Sequence, residues 1–299
     1  MTQNRPVKVP VPPWGMAITA ILLIQLGSAL SIPLVEAVGP AGAAWLRLSM
    51  GAVILFAIAR PPLRFIQRSD VLPVLGLGIT TGVMTMAFLA AIEQIPLGTA
   101  VAVEFLGPLT VAAFGSHARM ALLWPTLALL GVVLLTEPWQ GSFNVAGLAW
   151  AVLSGVSWGA YILLTQRIGD RFTGIGALSM TIPLASLTAA IVGIPQASRN
   201  VTFETLAIAA GLAILLPVLP FALEMLALRR MTTTAFGTFM ALEPAVGVLL
   251  GLIILNQQPS ATQVVGISLV VLAGVAAQRG GQRHKGADEK MPSPVNLEI

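Results

Sequence analysis

The chain has 299 residues, of which 9% are charged and 56% are hydrophobic, and its formal net charge at pH 7 is +4. An average soluble domain carries about 25% charged residues, so this chain cannot cover a globular surface with charge. The composition therefore indicates a polytopic membrane protein. The sequence contains no cysteine, which excludes disulfide scaffolds, thiolate metal sites and cysteine nucleophiles. Its basic residues stand singly or in pairs between apolar stretches, and no nucleic-acid partner is predicted.

Apolar stretches long enough to cross a bilayer, which takes about 20 residues as an α-helix, recur along the whole chain. The connections between them are short, and none is long enough to form a soluble domain. We predict an all-α polytopic membrane protein with ten transmembrane helices, at residues 14–34, 40–59, 71–92, 98–115, 120–136, 145–166, 173–194, 204–227, 232–254 and 261–278.

The positions of Lys and Arg predict how these helices are oriented, because basic residues concentrate in the cytoplasmic connections of membrane proteins. The chain contains 16 of them. Arg199 alone falls in a predicted outer segment and Arg47 alone falls inside a predicted span, so all the others lie in predicted inner segments. The pattern places both termini in the cytoplasm, with residues 1–13 as an N-terminal segment and residues 279–299 as a disordered tail.

A weak internal repeat divides the predicted helices into two sets of five. When Pro108 is aligned with Pro244, residues 95–115 overlie residues 231–251. An odd number of spans in each copy inverts the second copy relative to the first. Inverted repeats of this kind are typical of secondary transporters, whose substrate sites lie near the middle of the bilayer between the two halves.

Three stretches carry a resemblance to a known family. They are AVAVEFLGPLTVAAF at 100–114, SWGAYILLTQR at 157–167 and FALEMLALRRMTTTAFGTFMALEPA at 221–245. On these stretches the chain resembles the EamA type of the drug/metabolite transporter superfamily, and within it the bacterial threonine/homoserine exporters and related amino-acid exporters. Two EamA-like repeats, at 14–137 and 145–278, would then cover nearly the whole folded part of the chain.

The resemblance implies ten helices, arranged as two inverted five-helix repeats around a central cavity, that work by alternating access in the bacterial inner membrane. It also implies export of amino acids or similar small metabolites with broad specificity. A proton gradient is the expected driving force, although facilitated diffusion fits the sequence equally well. Two alternatives stay open: a multidrug or quaternary-cation exporter of the same superfamily, and a non-transporting membrane scaffold.

Enzyme motifs are missing from the sequence. The three aspartates, Asp70, Asp170 and Asp288, all fall in predicted cytoplasmic segments, so no intramembrane aspartyl protease pair is formed. The stretch GVSWG at 155–159 matches the letters of the nucleophile-elbow motif, but it lies inside a predicted transmembrane helix and not at a strand-to-helix turn. No zinc-protease helix motif or P-loop lysine motif occurs. The sequence therefore predicts neither an enzyme nor an ATP-driven pump, and no metal or other cofactor. Its expected partners are a small-molecule substrate, the lipid bilayer and protons.

Two ionisable residues fall inside predicted spans at matching depth. Arg47 and Glu104 each lie about seven residues in from the outer end of their helix, which at 1.5 Å per residue is roughly 10 Å. We therefore predict that the two side chains pair. The pair is interpreted either as a site for the zwitterionic head of an amino acid or as a salt bridge that locks two helices together.

Glu243 lies near the middle of the ninth predicted helix and directly precedes Pro244. Proline removes a backbone hydrogen bond and frees a carbonyl, and the glutamate adds an acceptor, so the pair suits an ammonium group or a proton relay. A glutamate that only stabilises the kink is the alternative. Pro108 and Pro244 are predicted to act as hinges of bending helices.

Three further side chains are candidates for the wall of the central cavity. Gln25 is an amide in an otherwise apolar helix, and such groups usually face the bundle. Trp158 and Tyr161 are three residues apart, hence on one helical face, at a depth where membrane aromatics are unusual. Ordinary helix packing is the alternative for both aromatic residues.

Two other patterns are assigned to structure. Glu224 closely precedes Arg229 and Arg230, and we predict an interfacial charge pair there. Three G-x-x-x-G patterns permit close helix approach and are predicted to pack within the chain, as expected of a monomer or weak homodimer. They are Gly78–Gly82, Gly155–Gly159 and Gly247–Gly251.

Overall fold

The structure, a computed structural model, describes residues 12–58, 68–114, 122–140, 144–168, 175–198, 200–228, 230–231 and 233–280. Within these ranges the chain is helical and contains no strand. The predicted segments 1–13 and 279–299 lie almost entirely outside them. The helices are α1 (Pro13–Ala29), α2 (Ile32–Val38), α3 (Pro40–Ile58), α4 (Arg68–Ile92), α5 (Leu97–Phe114), α6 (Leu123–Thr136), α7 (Val145–Ile168), α8 (Ile175–Ala197), α9 (Phe203–Ala213), α10 (Leu219–Leu228), α11 (Thr233–Met240), α12 (Glu243–Leu255) and α13 (Ala261–Gly280).

Eight helical stretches in the described part of the chain are long and apolar enough to cross a membrane, and the predicted all-helical membrane architecture is confirmed. They are Pro13–Val38, Pro40–Ile58, Val71–Ile92, Leu97–Phe114, Val145–Gln166, Leu178–Ala197, Phe203–Glu224 and Ala235–Leu255. The other two predicted spans hold shorter helices: α6 has 14 residues, and the apolar part of α13 is Ala261–Ala277. At 1.5 Å per residue α6 is about 21 Å long, less than the roughly 30 Å of a bilayer core. The count of ten spans stays a prediction.

Three of the predicted spans are interrupted rather than continuous. The first breaks at Leu30 and Ser31, between α1 and α2, and the ninth breaks between α11 and α12. The eighth passes through a wide π-helical turn at Ile214–Val218, in which Leu216 has non-helical dihedral angles (φ −162°, ψ 113°). Pro33, Pro217 and Pro244 lie within two residues of these breaks. Proline lacks the N–H that continues a helix, but it fits the first turn of a new one.

The interruption between α11 and α12 corrects the prediction made for Glu243 and Pro244. These residues do not kink the middle of a continuous helix, because α11 ends at Met240 and α12 begins at Glu243. Pro244 therefore occupies the first turn of α12, where its missing N–H costs no helical hydrogen bond. Pro108, by contrast, lies inside α5, which continues to Phe114; the hinge roles of both prolines remain predictions.

Helices of the first half of the chain pack mainly against helices of the second half. The most extensive contacts join α3 to α8, α4 to α7, α4 to α8, α5 to α7 and α6 to α13. Several contacts come in pairs in which the two halves exchange roles. Helix α1 of the first half packs on α10 of the second, and α7 of the second half packs on α4 of the first. In the same way α3 packs on α9, and α8 packs on α4. The two halves therefore interlock instead of forming separate domains.

Glycines create the closest of these contacts. Gly78 and Gly82 of α4 lie against α8, whereas Gly155 and Gly159 of α7 and Gly247 of α12 lie against α5. Gly251 also approaches α5, at Leu97. All three G-x-x-x-G patterns pack within the chain, as predicted. The absence of a side chain at these positions brings the helices that carry the candidate residues close together.

Candidate functional site

Glu104 lies on α5, half-buried at the contact with α7. Its Oε1 accepts a hydrogen bond from Ser154 Oγ at 2.5 Å, and Ser154 Oγ is also 3.1 Å from the carbonyl oxygen of Met84. The two helices approach so closely here that a Cβ atom on Gly155 would lie 2.9 Å from the backbone oxygen of Glu104. The carboxyl group of Glu104 is thus fixed by Ser154 of α7, which lies four residues before Trp158.

Glu243 is the first residue of α12, and only 5% of its surface is exposed. The N-terminus of a helix favours a negative charge, because its first backbone N–H groups are unpaired. No described residue forms a hydrogen bond with its carboxyl group. A buried carboxyl group that lacks a permanent partner is available for a ligand or a proton.

Glu224 of α10 joins these two residues in what we call the acidic cluster: Glu104, Glu224 and Glu243. The carboxyl groups of Glu224 and Glu104 both act electrostatically on that of Glu243, and Glu224 also acts on the hydroxyl group of Tyr161. No ion pair joins the cluster to any Lys or Arg that the structure describes. Carboxyl groups on α5 and α10 therefore act on the buried carboxyl group at the start of α12, and none of the three is ion-paired with a Lys or Arg in the described ranges.

The structure tests the predicted interfacial charge pair of Glu224 for Arg230 only. Arg230 is exposed and forms no ion pair with Glu224, while Arg229 lies outside the described residues. The signal that could have identified Glu224 was its place within an apolar stretch.

Trp158 and Tyr161 are both half-buried on α7, but they contact different neighbours. The ring of Trp158 meets that of Phe105 edge to face, with 6.4 Å between the ring centres. Tyr161 packs against a small apolar group formed by Val74, Leu77 and Met180. Trp158 lies one helical turn after Ser154, the residue that donates to Glu104, so the Trp158 ring is near that carboxyl group. Tyr161 is linked to the acidic cluster by the electrostatic effect of Glu224 on its hydroxyl group.

Arg47 does not pair with Glu104, and that prediction is wrong. Its Nη1 donates to Ser31 Oγ at 3.1 Å, its Nε has no partner, and 4% of its surface is exposed. Depth along a helix fixes only one coordinate of a side chain. Arg47 is on α3, which packs on α8 and α9, whereas Glu104 is on α5, which packs on α7 and α12. Equal depth therefore does not by itself bring the two side chains into contact.

Gln25 is buried in α1, with 2% of its surface exposed, and its Oε1 has no hydrogen-bond partner. Helix α1 packs along α10 and α12, which carry Glu224 and Glu243. An unpaired amide oxygen inside a protein is costly and needs a partner outside the described side chains. The described residues contain no group of three or more His, Asp or Glu side chains that could hold a metal ion.

Comparison with known proteins decides the family. Residues 145–276 match the model of the EamA-like transporter family. The chain is 35% identical over 284 residues to the Threonine/homoserine exporter RhtA of Salmonella typhimurium, covering 92% of this chain and 93% of that one. The protein of the same name from Escherichia coli K12 is 35% identical over 283 residues, with the same coverage. The chain belongs to the EamA-like transporter family.

Membership of this family makes the chain a transporter and not an enzyme, as predicted. A solved crystal structure of a protein with 21% sequence identity has the same fold, with a TM-score of 0.63 over 89% of this chain and 98% of that one. Helical bundles span membranes because every backbone polar group is paired within the helix. This EamA-like transporter is a multi-pass protein of the bacterial inner membrane.

Proposed function

We propose that this EamA-like transporter exports amino acids, or similar small metabolites that carry an ammonium group. The observation that carries the proposal is the acidic cluster, in which the carboxyl groups of Glu104 and Glu224 act on that of the buried Glu243 and none of the three is ion-paired with a described Lys or Arg. The relatives named threonine/homoserine exporters support the same substrate class. Like charges inside a membrane protein repel one another strongly, and a bound ammonium group relieves that repulsion.

Protons are the natural competitors for such a site. A carboxylate that binds an ammonium group releases its proton first, and a proton that returns from outside displaces the ammonium group. This exchange couples export to the proton gradient, with one proton entering for each positive charge that leaves. The unpartnered carboxyl group of Glu243 and its neighbour Glu224 are the groups we assign to it.

The substrate cavity is proposed to lie near the middle of the bilayer, where the interrupted helices meet. Glu104 and Glu243 bind the ammonium group, Trp158 and Tyr161 supply one wall, and the buried amide of Gln25 faces the cavity. Arg47 lies on the other side, beside the break between α1 and α2. Pro108 and Pro244 are placed where helices bend during transport.

The mechanism proposed for this cavity is alternating access by two inverted repeats, residues 14–137 and 145–278, with ten spans and both termini in the cytoplasm. The exchanged helix contacts, such as α1 with α10 and α7 with α4, support it. So do Gly131 of α6 and Gly266 of α13, each of which would place a Cβ atom 2.6 Å from the other's backbone oxygen. Secondary transporters bind substrate between such repeats, at discontinuous helices.

Flux measurements on purified protein in liposomes test the proposal. We expect saturable uptake of radiolabelled threonine and homoserine, stimulated when the interior of the liposomes is made acidic. Methionine and phenylalanine test the breadth of specificity. No flux of any of these compounds by demonstrably folded protein would contradict the proposal, and flux that ignores the proton gradient would contradict the coupling.

A second candidate is export of quaternary or lipophilic cations. The edge-to-face pair of Phe105 and Trp158 beside Glu104 favours it, because aromatic rings and a carboxylate together bind such cations. A lipophilic cation in the same flux experiment distinguishes the two. Cation flux without amino-acid flux would assign the chain to drug export.

A further inference from the structure

Arg47 is a buried cation that the acidic cluster does not use. Its guanidinium group makes one side-chain hydrogen bond, to Ser31 Oγ, and its Nε is enclosed without a partner. No carboxylate in the described part of the chain forms an ion pair with it. A charged group inside a membrane-spanning helix is costly unless it meets an opposite charge or a cavity, so this guanidinium needs an anion.

Ser31 orients the guanidinium but cannot complete its coordination. The Oγ of Ser31 donates its proton to the carbonyl oxygen of Gly27 at 2.6 Å and accepts from Arg47 Nη1. A neutral hydroxyl leaves the positive charge uncompensated. The bond holds one edge of the planar group in place and leaves the Nε edge for a second acceptor.

Two interrupted helices meet beside Arg47. Ser31 lies in the break between α1 and α2. Gly51 lies one helical turn after Arg47 on the same face of α3. It faces the Ile214–Val218 turn, because a Cβ atom on Gly51 would lie 3.2 Å from Pro217 Cδ. Gly27 packs against the same non-helical segment, with 3.4 Å from its Cβ position to the Cβ of Leu216. Non-helical backbone at membrane depth occurs where it is buried or lines a cavity.

From this geometry we infer that Arg47 binds the carboxylate of the transported substrate, between the α1–α2 break and the Ile214–Val218 turn. The inference rests on the proposed function and adds a second charge to the site. A guanidinium group offers parallel N–H donors that match the two oxygens of a carboxylate. The substrate is then a zwitterion, with its ammonium group at the acidic cluster and its carboxylate at Arg47. Both groups of an amino acid are bonded to one carbon, so the inference requires Arg47 and a carboxyl group of the cluster to reach the same small molecule.

The test compares binding of threonine with binding of threonine amide, which keeps the ammonium group and lacks the negative charge. Isothermal titration on the purified transporter measures both. We expect wild-type protein to bind threonine at least about tenfold more tightly, because a hydrogen-bonded charge is then left unpaired by the amide. In Arg47→Met, we expect threonine binding to weaken by that factor while amide binding is unchanged. The ratio of the dissociation constant of threonine amide to that of threonine then falls to about one. Arg230→Met, which alters an exposed arginine, keeps the wild-type ratio.

An unchanged ratio in Arg47→Met would overturn the assignment. If that variant does not fold, Arg47→Lys replaces it: lysine keeps the charge but not the paired donors, so the ratio falls partway, and full retention would again overturn the inference. Equal binding of threonine and its amide to wild-type protein would also overturn the inference, because Arg47 would then contribute nothing to recognition of the carboxylate. Binding of neither compound by folded protein would contradict the proposed function itself.

Discussion

The backbone of Gly107 in α5 lies directly against the backbone of Gly155 in α7, so closely that a Cβ atom on Gly107 would overlap the carbonyl group of Gly155. The contact stands beside the Ser154–Glu104 hydrogen bond of 2.5 Å. Ser154 immediately precedes Gly155, and Glu104 is one turn before Gly107. The helix spacing set by the two glycines therefore determines whether Ser154 can reach the carboxyl group.

Replacing Gly107 with alanine tests this relationship. The added methyl group must push α5 from α7, and overpacking of this kind costs about 1–3 kcal/mol. We expect Gly107→Ala to lower the thermal midpoint in detergent and to reduce threonine flux, because the Ser154–Glu104 bond is stretched. Gly211→Ala is the matched control: no atom lies within 4 Å of its Cβ position, and alanine favours a helix by about 1 kcal/mol over glycine. Equal behaviour of the two variants would contradict the role of the contact.

Glu243→Gln separates a binding role from a structural one. The amide has the shape of the carboxyl group without its charge, and no hydrogen bond to a described residue is lost. Repulsion from Glu104 and Glu224 also disappears. We therefore expect stability equal to or above that of the wild type, together with at least about a tenfold loss of ammonium binding, as for the removal of one charged hydrogen-bond partner.

The measurements for Glu243→Gln are the thermal midpoint and the affinity for threonine. Glu36→Gln, which alters an exposed glutamate at the end of α2, serves as the control and leaves both unchanged. A loss of stability with unchanged threonine affinity would assign Glu243 to the fold and contradict its place in the site.

Glu224→Gln tests the place of this residue in the acidic cluster. We expect threonine flux to fall and its stimulation by an acidic interior to weaken, because Glu224 acts on both Glu243 and Tyr161. The double variant with Glu243→Gln should deviate from additivity by about 0.5–3 kcal/mol in threonine binding, as neighbouring charges do. Strict additivity, or an equal effect of Arg230→Gln on flux, would restore the interfacial charge pair and contradict the cluster.

Hydropathy was sufficient to locate the helices, because about 20 apolar residues have few other structures open to them in a bilayer. It was not sufficient to pair Arg47, since depth along α3 and α5 says nothing about the direction in which each helix faces. Glu224 was assigned to the membrane interface, because the sequence does not show that its carboxyl group acts on that of Glu243. That relation depends on the packing of α10 and α12 on α1. Glu243 was identified because it lies beside a proline in an apolar stretch, although the proline starts a helix instead of bending one.

The cysteine-free sequence permits a direct test of the alternating-access proposal at the break beside Arg47. The Cβ of Leu215 is 3.4 Å from the Cβ position of Gly27, close to the spacing of about 3.5–4.5 Å that a disulfide needs. Gly27→Cys combined with Leu215→Cys should therefore cross-link α1 to the interrupted eighth span when oxidised.

Gly27 belongs to the first predicted repeat and Leu215 to the second, so the cross-link prevents the two from moving apart at the break. We expect oxidation to abolish threonine flux and a reducing agent to restore it, while each single variant transports at a rate close to that of the wild type and ignores the oxidant. Threonine binding on one side should survive oxidation, because only the exchange between inward and outward states is blocked. Full flux by the cross-linked protein would mean that α1 and the Ile214–Val218 turn move together, and the moving boundary between the repeats would then have to lie elsewhere in the bundle.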